Sequence, residues 1–166
     1  MKKAILPIIF FFSALTISAQ TAKETKRLAE LDAYWTQLSK TVKEGDYKGY
    51  GAMYHPDAVV IFASGDNKRS MPIADALSGW KKGFDETKAG NRNDTAEFRF
   101  SQRIGNGTTA HETGMFNFTT RDADHKVTGT YIVHFEMLLV KKEGKWFGVM
   151  EYQKTNGTKA EWDALK

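Results

Sequence analysis

Residues 128–154 read TGTYIVHFEMLLVKKEGKWFGVMEYQK. Two runs rich in β-branched and aromatic residues, at about 128–141 and 145–154, flank Glu143-Gly144, which is hairpin-turn chemistry. The pattern repeats upstream. Strand candidates at about 95–104 and 109–120 are separated by Asn106-Gly107 and are set off from the next run by Asp122-Ala123-Asp124-His125. Helical patterns occupy most of the chain before these strands. Helices first and an antiparallel meander second is an α+β order, a cone-shaped curved sheet wrapped around N-terminal helices. The mouth of such a cone is a place for small molecules.

Working back toward the N-terminus, Leu28, Leu31, Trp35, Leu38 and Val42 recur at three and four residues, with Tyr34 at the edge of the stripe. This periodicity predicts a first helix over about 23–44. Gly45 ends it, and Asp46 caps a shorter helix carrying Tyr47, Tyr50, Met53 and Tyr54. That helix should stop at His55-Pro56-Asp57, since the residue before proline is pushed out of helical space. Residues 58–63 then read as a buried strand closed by a turn at 64–67. Ser70 is placed to cap a third helix with Pro72 in its first turn and Ile73, Leu77, Trp80 and Phe84 as its stripe. Residues 88–94 form a polar linker. No internal repeat or second domain boundary is evident, so residues 20–166 form a single domain.

Met1-Lys2-Lys3, the apolar run from Ala4 to Ile17 and the small pair Ser18-Ala19 have the layout of a signal peptide spanning residues 1–19. The run is too short to span a bilayer, and Pro7 lies inside it. The expectation is a chain exported to the periplasm or secreted, and free of the membrane once the signal is removed. The sequence contains no cysteine, which excludes disulfides, thiolate metal sites and a lipid-anchored cysteine. Removing Lys2 and Lys3 takes the 24 basic residues to 22 against 20 acidic ones, a net charge of +2. These charges are dispersed, which argues against a nucleic-acid partner. Four Asn-x-Thr triplets, at Asn93, Asn106, Asn117 and Asn156, are read as chance in a threonine-rich chain.

The order of helix, Glu44-Gly45-Asp46, short helix, Met53-Tyr54-His55-Pro56-Asp57-Ala58-Val59, helix and Gly144-Lys145-Trp146 resembles the nuclear-transport-factor-2-like superfamily. The likeness is to its SnoaL-like and "domain of unknown function 4440" branches, and the stretch from Ala110 to Phe116 shares it. It covers about 23–153 and implies the cone-shaped (cystatin-like) α+β roll. The superfamily includes ketosteroid isomerase, dehydratases, cyclases, oligomerising modules and binding proteins, so the resemblance implies a fold more strongly than an activity. Laid on this chain, the isomerase's general-base position falls on Phe62. Its oxyanion-hole tyrosine falls on Leu38, with Tyr34 a turn earlier, and its protonated aspartate on Glu136. Phenylalanine accepts no proton, which speaks against isomerase chemistry in that geometry.

Strand alternation puts Ile132, His134, Glu136 and Leu138 on one face. The resemblance makes that the pocket face, with His111, Thr113 and Met115 inward on the preceding strand and Val149, Glu151 and Gln153 inward on the last. His111, Glu136 and His134 are thus the candidate catalytic residues. Tyr34, Tyr54, Phe62, Met115, Val149 and Glu151 are the candidate ligand-binding residues. Histidines and carboxylates suit zinc or iron, but no His-x-His or His-x-x-x-His spacing occurs, so neither a metal nor another cofactor is expected. His55 and His125 read as a helix-stop residue and a solvated turn residue.

The leading expectation is an exported protein that binds a small apolar or amphipathic molecule in its cavity. One alternative is a cofactor-independent lyase, isomerase or cyclase working by proton transfer at His111 and Glu136. Another is a dimeric interaction module. Tyr131, Val133, Phe135, Met137 and Leu139, opposite the expected pocket face, suggest a homodimer packed sheet to sheet.

Overall fold

The computed structural model describes residues 9–66 and 68–165, and the statements below concern those residues. Residues 1–8 of the expected signal peptide lie outside them, as do the side chains of the rest of that segment and Asn67 of the expected turn. The elements run α1 (Ile9–Glu44), α2 (Tyr47–Gly51), β1 (Tyr54–Phe62), β2 (Arg69–Pro72), α3 (Ile73–Lys88), β3 (Arg92–Gly105), β4 (Thr109–Asp122), β5 (Val127–Lys142), β6 (Lys145–Asn156) and α4 (Lys159–Ala164). The strands form one sheet in the order β2-β1-β6-β5-β4-β3, in which β1 and β6 are parallel and the other neighbours antiparallel. Helices α1 and α3 pack on its concave face. This is the α+β architecture expected, with the meander at the expected positions.

Three local expectations are corrected. The second helix ends at Gly51, so Met53 lies beyond it and Tyr54 belongs to β1, which also takes in the expected stop His55-Pro56-Asp57. Proline is tolerated there because the β1–β6 ladder breaks between Tyr54 and Val59, so its missing N–H interrupts no pairing. Ser70 caps no helix. Residues 69–72 pair with Val59–Phe62 as a short edge strand, and Pro72, extended at φ −56° and ψ 147°, stands at the start of α3. Helix α4 was not expected, although Thr158-x-x-Glu161 is a capping-box signature, and both reciprocal bonds of that box form.

The core lies between α1 and the sheet. Trp35 meets Phe98, Phe100 and Phe135 at ring distances of 4.6, 5.2 and 5.5 Å. Gly45, at φ +63°, turns the chain out of α1 against α3; a side chain there would lie 2.6 Å from the Phe84 carbonyl oxygen.

The face assignment of β5 is also corrected. Val133, Phe135, Met137 and Leu139 point inward and are buried, whereas Leu138 is 40 % exposed on the convex side. The inward set carries more apolar surface than Ile132, His134, Glu136 and Leu138, and burial of that surface chooses the face. Alternation along β5 is unbroken and separates the two faces without saying which is buried; the extra residues of the β5–β6 ladder, Val149 and Lys154, lie on β6. Of the residues on which a sheet-to-sheet dimer was expected, Val133, Phe135, Met137 and Leu139 are buried against the interior, and Tyr131, 60 % exposed, stands at the cavity.

Candidate functional site

A cavity of about 440 Å³ opens between α1, α3 and the concave face. Its walls are largely aromatic: Trp35, Tyr50, Phe62, Trp80, Phe84, Phe98 and Phe116 contribute, together with Leu38 and Val133. Tyr50 is the hub of one wall, with ring distances of 5.1 Å to Phe84, 5.6 Å to Tyr54 and 5.9 Å to Trp80.

One end of this apolar space is polar. Glu151, on β6, is 8 % exposed. Tyr54 donates its hydroxyl proton to Glu151 Oε2 at 2.5 Å, and Gln153 Nε2 donates to Oε1 at 2.8 Å. The Tyr50 hydroxyl lies 3.2 Å from that of Tyr54. Burial raises the Glu151 carboxyl above its ordinary range, only partly offset by the bonds from Tyr54 and Gln153. Burial, with Glu151 nearby, also raises the Tyr34, Tyr50 and Tyr54 phenols, which stay protonated. The arrangement depends on a close approach. A side chain at Gly148 would lie 3.1 Å from the Tyr54 ring and 3.2 Å from the Tyr34 hydroxyl. Elsewhere on the lining, Arg92 bonds Asp94 Oδ1 at 2.7 Å and Thr120 at 3.2 Å.

Of the expected ligand-binding residues, Tyr54, Phe62 and Glu151 line the cavity. Tyr34 is buried behind it and donates to the Met53 carbonyl at 3.1 Å. Val149 is absent from the lining, because the slip in the ladder beside it separates Gly148 from Met150. Met115 is buried on the opposite face, beneath the C-terminal segment: a side chain at Gly157 would collide with Met115 and lie 3.4 Å from His134.

The expected catalytic set does not converge in the cavity. His111 Nε2 and Lys154 Nζ hold Glu136 at 3.0 and 2.6 Å, on the convex face of the sheet. Lys154 and, less strongly, His111 keep the Glu136 carboxyl below its ordinary range. His134 instead faces Glu161 of α4 at 3.4 Å. The oxyanion position that the resemblance assigned to Glu136 is therefore outside the cavity.

Sequence reading placed Tyr50 on the short helix and Trp80 and Phe84 on the stripe of the third, and missed their part in the lining. Their helical spacing marks a buried face, and periodicity does not separate a face that meets the sheet from one that meets a void.

A second buried polar group sits apart from Glu151. Glu112 is fully buried, accepts from Arg103 Nε at 2.6 Å and lies 3.3 Å from Trp35 Nε1. Burial raises its carboxyl, and Arg103 opposes that shift. Arg103 also pairs with Asp32 at 2.5 Å, and Arg27 bonds Glu24 and the Arg103 carbonyl.

The match to known proteins fits this geometry. Residues 21–150 match the family of SnoaL-like domains. The chain belongs to the SnoaL-like family. No curated protein matches it. Among solved structures, this SnoaL-like domain is similar to the β subunit of benzoate 1,2-dioxygenase from Burkholderia mallei, with a TM-score of 0.64, 14% identity and coverage of 78% of this chain and 90% of that one. An NTF-2-like protein of unknown function from Shewanella oneidensis has a TM-score of 0.60 at 14% identity, covering 77% and 98%. A protein from Catenulispora acidiphila in complex with S-DNPA has a TM-score of 0.59 at 12% identity, covering 80% and 94%. These likenesses establish a shared nuclear-transport-factor-2-like fold.

Proposed function

We propose that this SnoaL-like domain is an exported protein that binds a small, largely apolar molecule in its cavity. The observation that carries the reading is a buried carboxyl, Glu151, held by Tyr54 and Gln153 at the polar end of an aromatic cavity of about 440 Å³. Cavities of this size with a few convergent polar groups suit drug-sized ligands. The complex of the Catenulispora protein with S-DNPA is in keeping with it. Export rests on the layout of residues 1–19.

Native mass spectrometry of residues 20–166, purified from the compartment to which the chain is exported, tests this. A co-purifying small molecule, lost in Trp80→Ala, is the expected result. A chain that arrives empty and binds nothing from a ligand screen would sink the proposal.

One observation favours a second reading. A carboxyl raised by burial and bonded to a phenol is suited to proton transfer, so a cofactor-independent lyase, isomerase or cyclase would work through Glu151 and Tyr54 rather than His111 and Glu136. Turnover abolished in Glu151→Gln with ligand binding retained would mark this case.

A further inference from the structure

The polar end of the cavity has a direction. With Glu151 ionised, Tyr54 gives its one hydroxyl proton to the carboxylate, and the 3.2 Å contact with Tyr50 is filled by the Tyr50 proton. Gln153 gives an N–H to the other carboxylate oxygen. Three donors thus run toward one buried carboxylate, and apart from the second N–H of Gln153 what they leave open is acceptor lone pairs. Among the described residues, Glu151 forms no ion pair, and the titratable groups coupled to it are the phenols of Tyr34 on α1, Tyr50 on α2 and Tyr54 on β1.

The charges on the lining lean the same way. Asp94 and Glu151 are acidic, while the guanidinium of Arg92 is engaged by Asp94 and Thr120 and lies 3.9 Å from Glu86. The aromatic rings of Tyr50, Trp80 and Phe84 on the wall favour a cation, whereas the Phe62 ring already carries the Arg69 guanidinium, 4.7 Å from its centre. A buried carboxylate without a counter-ion is costly, and a ligand that carries the counter-ion recovers that cost on binding.

We infer that the cavity selects a cationic amine carried on an apolar body, with the ammonium group against Glu151 and the body against the aromatic wall. The inference rests on the cavity-binding reading above and names the ligand class for the same site. A neutral Glu151 would reverse the relay: the acid would donate to Tyr54, Tyr54 to Tyr50, and Tyr50 to a ligand carbonyl. The two arrangements call for opposite ligands. Burial raises the Glu151 carboxyl and an ammonium group beside it would lower it again, so amine binding is linked to proton release.

The test is calorimetric titration of residues 20–166 with a naphthylethylamine, the matching naphthylethanol and the matching naphthylacetone, each in two buffers of different ionisation heat. The expected result is an amine preference of at least about tenfold over both neutral probes, with proton release to the buffer. In Glu151→Gln the preference disappears while the alcohol still binds. The proton release is read on the unaltered chain, so the test stands even if the variant fails to fold. A ketone that binds as tightly as the amine, and weakens in Tyr50→Phe, overturns the amine assignment and leaves cavity binding intact. If none of the three binds at millimolar concentration, both readings fall.

Discussion

Glu151 and Glu112 are both carboxyls raised by burial, and of the two only Glu112 has a guanidinium partner. The folded chain raises Glu151 above the ordinary glutamate value of 4.5, so between those values the folded state holds more protons than the unfolded one. Its contribution to stability is complete below 4.5 and is lost as the pH rises through the folded value. The ligand-free chain should therefore melt lower at mildly alkaline than at mildly acid pH, and Glu151→Gln should flatten that slope. At about 2–4 °C per kcal/mol in a domain of this size, a thermal melt series resolves the difference, and parallel slopes would refute it. Glu112 has guanidinium partners in Arg103 and, more distantly, Arg27. Glu112→Ala leaves those charges uncompensated, with an expected cost of about 3–5 kcal/mol by urea denaturation, whereas replacing Arg103 and Glu112 together by leucines should cost less. Equal losses in the two variants would show that the pair adds nothing beyond its packing.

Among the elements, α4 has the clearest individual task. Trp162 is 5 % exposed and lies under the Arg99 guanidinium, 4.4 Å from the ring centre, while Arg99 Nη1 bonds the Trp162 carbonyl at 2.7 Å. The C-terminal segment thereby covers Met115 on the side of the sheet away from the cavity. Trp162→Ala should cost about 3 kcal/mol and speed amide hydrogen exchange around Met115 and His134, leaving exchange at Tyr54 unchanged. Uniform acceleration across the sheet would mean that α4 supports the whole domain instead. The slips in the β5–β6 ladder matter at this scale too, because they bring Glu151 and Gln153 inward in register with the buried residues of β5.

For the molecule as a whole, the convex face replaces the inner residues of β5 as the surface proposed for a homodimer. Ile104, His111, Leu138 and Met150 lie in register across four strands, with Ile104 51 % and Leu138 40 % exposed, beside the His111–Glu136–Lys154 cluster. If copies pair there, Leu138→Lys halves the mass measured by light scattering without loss of ligand binding. An unchanged mass would remove that face from consideration. Among the described residues no helix is long and apolar enough to cross a membrane.

The sequence by itself determined the order of helices and hairpins, the position of the turns, the stripe on α1 and the family. These depend on local periodicity and turn chemistry, which act over a few residues. It also identified Tyr54, Phe62 and Glu151 as cavity residues. The tertiary structure alone decided which face of β5 is inside, and so that His111, His134 and Glu136 stand outside the cavity. Both faces of β5 carry large apolar residues, and a strand's period of two is indifferent to which is buried. The choice rests on total apolar surface removed from water, a property of assembled strands. The lining role of Tyr50, Trp80 and Phe84 was hidden for a related reason: a cavity is the place where packing stops, and no residue's own periodicity records what its neighbours fail to fill.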